Sequence, residues 1–143
     1  VLESVCLSHL VTAYVKAHIG RLSAVCGCSV AAGSGAAAGV TYLMGGDLRQ
    51  IAGAINKLIE DLAGVICDGA KEACALKVGT AAGTAVQAAL LALKGISVSP
   101  RDGLVGERVE QTVKNLGLLS REGMTEADRT VLRIVMAKQP VVG

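Results

Sequence analysis

The residues best suited to do chemistry are two cysteines in the run Cys67-Asp68-Gly69-Ala70-Lys71-Glu72-Ala73-Cys74. Thiolates are nucleophiles and soft metal ligands. Cys26 and Cys28 flank Gly27 upstream and offer a third thiol. In one continuous helix, Cys67 and Cys74 would share a face but stand two turns apart, roughly 10 Å along the axis. That is too far for one small metal site. Gly69 can take backbone angles that end a helix, and Asp68 is a residue type that caps the next one. The spacing therefore calls for a chain reversal at Asp68-Gly69. Cys74 would then lie in the first turn of a new helix, where the helix dipole favours thiolate.

Three uses of these thiols stand side by side. Cys67 and Cys74 with one of Cys26 and Cys28 would give three ligands to an iron–sulfur cluster, although the spacing matches no common ferredoxin pattern. Zinc would want a Cys-x-x-Cys knuckle or nearby histidines, and neither is present. Cysteine is also a small apolar core residue, so all of them could simply be buried. His9 and His18 are isolated and read as packing or surface residues. Lys71 and Lys77 read equally as anion-binding or solvated side chains.

The elements that must position these groups are helical. The 143-residue chain contains neither Phe nor Trp, so its core must be built from Leu, Ile, Val, Ala and Gly. Helices packed backbone to backbone suit that composition; strands would want more aromatic and β-branched residues. Apolar periodicity predicts helices over 1–19 (Leu2, Val5, Cys6, His9, Leu10, Tyr14 on one face), 22–44, 47–66, 73–93, 105–117 and 125–138. Asp47 is placed to cap the third, Lys94-Gly95 to end the fourth, and Thr125 with Asp128 to form a capping box on the last, with Pro140 near its stop. The expected fold is all-α, a single domain over 1–143, with about six helices and Gly/Ala-rich central ones.

The stretch from Leu22 to Gly46 carries no charge and is long enough to span a bilayer. Its small residues fit a buried central helix better. Gly27, Gly35 and Gly39 with Ala31 recur every fourth residue, which allows close helix contact or leaves room for a ligand. A break at residues 32–35 would present Ser34. Five cysteines cannot all pair, no leader pattern is seen, and a reducing cytoplasmic setting follows. The scattered Lys and Arg residues without aromatics argue against nucleic acid.

Two stretches carry a family resemblance: Leu22 to Gly46, containing Cys26-Gly27-Cys28-Ser29-Val30-Ala31-Ala32-Gly33-Ser34-Gly35, and Gly64 to Lys77, containing Cys67-Asp68-Gly69-Ala70-Lys71 and Cys74-Ala75-Leu76-Lys77. They resemble the C-terminal half of the serine dehydratase alpha-chain-like family, which includes iron–sulfur L-serine dehydratases and L-cysteine desulfidases. The likeness covers nearly the whole chain, including Glu122-Gly123-Met124, and leans to the family's uncharacterised and desulfidase-like branch. It implies a 4Fe–4S cluster held by Cys28, Cys67 and Cys74, with Cys26 the alternative to Cys28. No cysteine follows Cys74, so the C-terminal cysteine that caps the last iron in some relatives has no counterpart. Cys6 matches no motif and is expected in the core. The resemblance further implies β-elimination from L-cysteine or L-serine, giving pyruvate and ammonia, with sulfide from cysteine. Ser34, Lys71 and Lys77 are the candidates for binding the substrate. The base is assigned to no residue here. The implied partners are the amino-acid substrate, the rest of a longer chain and further copies of itself, with no nucleic acid and no membrane. A fragment of this kind is expected to be inactive alone. The competing reading is a non-enzymatic helical assembly module whose cysteines are structural.

Overall fold

The computed structural model describes residues 1–138. Among them are six α-helices: α1 (Leu2–Ile19), α2 (Ala31–Leu43), α3 (Leu48–Leu62), α4 (Cys74–Leu93), α5 (Val109–Leu118) and α6 (Thr125–Ala137). A π-helical turn (Leu119–Gly123) joins the last two. The expected all-α class and helix number hold. Pro140 lies outside the described residues.

The core sits around α2, which packs against α1, α3 and α4. Glycine makes the closest approach possible. A Cβ on Gly35 would lie 2.0 Å from Thr12 Oγ1 and 2.3 Å from the Ser8 carbonyl oxygen. At Gly39 the Ser4 hydroxyl donates to the backbone oxygen at 2.7 Å. On the opposite side, a Cβ on Gly33 would press 3.1 Å from Leu58 of α3. The every-fourth spacing thus serves helix packing at Gly35 and Gly39, and Gly33, outside that spacing, does the same toward α3.

α3 has the clearest amphipathic pattern, burying Ile51, Ala54, Ile55, Leu58, Ile59 and Leu62. Asp47 starts it with a full capping box: its carboxylate accepts the Gln50 N–H at 2.8 Å, while Gln50 Oε1 accepts the Asp47 N–H at 2.9 Å. Gly95, at φ +75°, closes α4.

Several expectations are corrected. α3 stops at Leu62 rather than running to Ile66. α2 starts at Ala31, so the uncharged stretch is a 13-residue helix preceded by irregular chain, too short to cross a bilayer. The helix is unbroken at residues 32–35, and Ser34 is wholly buried with its hydroxyl unpartnered. α1 turns the other face inward. Ser4, Val15 and Ile19 are buried while Leu2, Val5, Leu10 and Tyr14 are exposed, because small hydroxylated residues fit the glycine groove of α2. Cys6 is exposed rather than in the core. Thr125 and Asp128 form no capping box: the Thr125 hydroxyl donates back to the Arg121 and Glu122 carbonyls, and the π-helical turn runs straight into α6.

Candidate functional site

The cysteines lie on two irregular segments, residues 20–30 and 63–73, that meet beside the core. An antiparallel bridge between Val25 and Ile66 joins them. The Cys26 N–H donates to the Val65 oxygen at 2.8 Å, and the Cys67 N–H donates to the Ala24 oxygen at 2.7 Å. The upstream cysteine pair and Cys67 are therefore fixed relative to one another by backbone hydrogen bonds. These satisfy groups that neither helix end could pair.

The reversal demanded by the Cys67–Cys74 spacing is present. Helix is absent from 63 to 73, and Gly69 takes φ +92°, a left-handed conformation that glycine adopts without strain. Cys74 is the first residue of α4, and its thiol donates to the Gly69 oxygen at 3.5 Å. Asp68 does not cap α4, whose N-cap is Ala73. It instead forms ion pairs with both Lys71 and Lys77. Lys77 also donates to the Ile66 oxygen at 2.8 Å, so one α4 cation fastens the whole reversal to the helix.

Exposure sorts the thiols. Cys26 is buried, Cys67 and Cys74 are half-buried, and Cys6 and Cys28 are exposed; all five are free. Burial as the common fate of these cysteines holds for Cys26 alone. Burial pushes the Cys26 thiol up. Hydrogen bonds from the Ser29 hydroxyl and backbone and the Cys28 backbone, together with the Lys77 charge, outweigh it, and the net shift is downward. The Ser29 hydroxyl lies 3.5 Å from the Cys26 sulfur and 3.4 Å from the Lys77 carbonyl oxygen. Lys77 is held protonated above its ordinary range, by its hydrogen bond to Asp68 against the opposing effect of burial, with Asp68, Cys26 and Cys74 adding attraction. The Lys71 and Lys77 hydrogen bonds hold Asp68 well below the usual carboxylate range. The result is a thiol-lined margin where two ammonium groups share the Asp68 carboxylate, with Glu72 in the same run balancing the formal charge.

The donors are of the kind an iron–sulfur cluster takes, and Cys28 and Cys67 lie on irregular chain rather than within a helix. No three Cys, His, Asp or Glu side chains are drawn together as a ligand set among the described residues. Ser34 sits inside α2, away from open surface, whereas Lys71 and Lys77 are at the thiol margin. The His18 ring is hydrogen-bonded to the Tyr14 carbonyl, 2.9 Å away, and packs on the Tyr14 ring; it is a surface residue of α1. Sequence reading missed Ser29 and the double role of Lys77. A hydroxyl one residue after Cys28 and a lysine one turn into α4 were the available signals.

A family model for the serine dehydratase alpha chain matches residues 1–133. The chain belongs to that family. A UPF0597 protein of Desulfotalea psychrophila is 63% identical over 138 residues, covering 96% of this chain and 32% of the relative. One from Desulfatibacillum aliphaticivorans is 65% identical over 138 residues, 96% of this chain and 31% of the relative. A third, from Clostridioides difficile, is 50% identical over 133 residues, 93% and 31% respectively. The chain thus spans about a third of the length of the curated relatives it matches. No solved structure matches it.

Proposed function

We propose that this chain is the cluster-binding part of a cytoplasmic lyase that removes the β-substituent of L-cysteine or L-serine. The observation that carries the reading is the joining of the two cysteine motifs. The Val25–Ile66 bridge sets Cys67 beside the Cys26-Gly27-Cys28 turn, and Lys77, three residues beyond Cys74 on α4, is attracted by both Cys26 and Cys74. Cys28, Cys67 and Cys74 would hold a 4Fe–4S cluster. With three protein thiolates, such a cluster supplies a Lewis-acidic iron for the departing hydroxyl or thiol.

This chain's own residues supply the setting. Cys26, beside the proposed ligands, is held below its ordinary thiol range by the Ser29 and Cys28 hydrogen bonds with the Lys77 charge, against the opposing effect of burial. Lys71 and Lys77 are the cations at the margin that would meet the α-carboxylate of an amino acid. Ser34 contributes a buried unpaired hydroxyl within α2 rather than a surface contact. The proton-abstracting base is assigned to the part of the full-length protein outside these residues. The odd number of cysteines, five, suits a reducing compartment.

The test is anaerobic iron–sulfide reconstitution of the full-length protein, followed by iron and labile-sulfide analysis and assay on both amino acids. Wild type and Cys6→Ala should take up a cluster and release pyruvate. Cys28→Ala, Cys67→Ala and Cys74→Ala should lose both. Reconstitution of Cys67→Ala and Cys74→Ala to the wild-type level sinks the reading.

A further inference from the structure

α4 has two apolar faces, and only one of them is used. Ala81, Ala85, Ala88 and Ala92 are buried against α2 and α3. On the opposite side, Leu76, Gly79, Gly83, Val86 and Leu90 recur at intervals of three, four, three and four residues. That spacing draws a narrow stripe along one side of a helix, the pattern that receives a second helix in side-by-side packing. Leu76 is 75% exposed, and Val86 and Leu90 are more than two-fifths exposed. A Cβ on Gly79 or Gly83 would meet nothing within 4 Å. No charged residue occurs from Val78 to Leu93.

Large apolar residues therefore point to solvent while alanines fill the core, the reverse of what burial favours. The helix is also long and apolar enough to cross a membrane by length and composition, yet little of it is buried. The three relatives are about three times as long as this chain, so in a protein of their length about two-thirds of the residues would lie outside it. The stripe also starts at Leu76, in the same first turn as Cys74 and Lys77, so its cover would border the thiol margin.

We propose that the outer face of α4 is the seat of a helix from the part of the full-length protein outside these 143 residues. Large side chains of that helix would fill the hollows over Gly79 and Gly83. The two glycines set the close approach; Leu76, Val86 and Leu90 supply the apolar rim. A second copy of the chain or a lipid bilayer would be alternative covers, and each gives a different result below.

Two measurements on the full-length protein test this. Gly83→Leu should lower its melting temperature, because the new side chain occupies space the docked helix needs. If the face is open, the same change should raise it, since leucine favours helix over glycine, and the proposal fails. In the second measurement, a photocrosslinking phenylalanine analogue replaces Val86 during translation, and isotopically heavy and light protein are mixed in equal parts. Crosslinks within one chain to peptides outside this segment are the expected result. Heavy–light crosslinks to another copy overturn the proposal. Crosslinking to lipid, with sedimentation on phosphatidylglycerol–phosphatidylethanolamine vesicles, overturns it too. So does rapid maleimide labelling at position 86 in the native Val86→Cys variant, since a covered face should shield that thiol.

Discussion

Lys77 and Asp68, nine positions apart, form an ion pair that ties the first turn of α4 to the chain reversal between Cys67 and Cys74. The same ammonium donates to the Ile66 oxygen at 2.8 Å. The bridge that positions Cys67 is thus held from both sides, by Ala24 on the facing segment and Lys77 on the helix. Lys77→Met keeps the aliphatic stem and removes both bonds. The Cys67 amide should then exchange with solvent faster, on the order of tenfold, the effect of charge-assisted hydrogen bonds discounted for their partial exposure. The amides of α3 should be unchanged. Equal acceleration in both places, read by hydrogen-exchange mass spectrometry, would show that Lys77 supports the whole fold and not the reversal.

A second polar link predicts a pH effect. The Tyr42 hydroxyl at the end of α2 donates to the Glu3 carboxylate at 2.5 Å, joining α2 to the start of α1. The hydrogen bond to Glu3, and then its charge, raise the Tyr42 pKa above the ordinary value of about 10. A raised folded-state pKa means that the contribution to stability is complete below the ordinary phenol range and is lost as pH rises through the elevated Tyr42 value. In a Tyr14→Phe background, the phenolate absorbance of the folded protein should titrate later than that of the unfolded chain. Adding Glu3→Gln should close that gap. Coincident titration curves before the Glu3 change would refute the link.

The helices that can be read from the sequence are those with local signals. Asp47 and Gln50 cap α3 through neighbours three residues apart, and Gly95 ends α4 through its own backbone freedom. The periodicity of α1 points the wrong face inward, because its apolar stripe is real but unpartnered among the described residues. What draws Ser4 and Ser8 toward α2 is the groove made by Gly35 and Gly39, a nonlocal match that periodicity does not carry. The site shows the same division. The reversal at Gly69 follows from the cysteine spacing and one glycine. The pairing of Val25 with Ile66 joins residues far apart in sequence and rests on segments too short to show a strand pattern. Asp68 suits a cap by residue type alone; two lysines, one on each side of Cys74 in sequence, compete for its carboxylate and win.

The Asp47 cap puts a number on one of those local signals. Asp47→Ala removes the acceptor for the Gln50 amide, and Gln50 also reaches the Leu93 oxygen at the far end of α4 through its Nε2 at 3.2 Å. The loss should be about 1 kcal/mol, typical of a helix N-cap. Asp47→Asn, which keeps an acceptor, should lose much less. Urea unfolding of the two variants separates them; equal losses would mean that the capping oxygen contributes nothing.

Nonlocal packing is tested most sharply at Gly35. Alanine favours helix over glycine by about 1 kcal/mol at an open position, so propensity alone predicts that Gly35→Ala stabilises α2. The packing predicts the opposite sign. The added methyl would fall 2.0 Å from Thr12 Oγ1 and 2.3 Å from the Ser8 carbonyl oxygen, both on α1. A side chain can rotate away, but a helical carbonyl moves only if α1 moves. Separating α1 from α2 would also stretch the 2.7 Å bond from Ser4 to the Gly39 oxygen one turn further on. Overpacking of this kind typically costs about 1–3 kcal/mol and more where backbone is the obstacle. Gly35→Ala should therefore lower the urea midpoint clearly. The double variant Gly35→Ala/Thr12→Ala should recover little of the loss, because the Ser8 oxygen remains in place. Full recovery in the double variant would show that the Thr12 side chain, not the α1 backbone, sets the distance between the two helices.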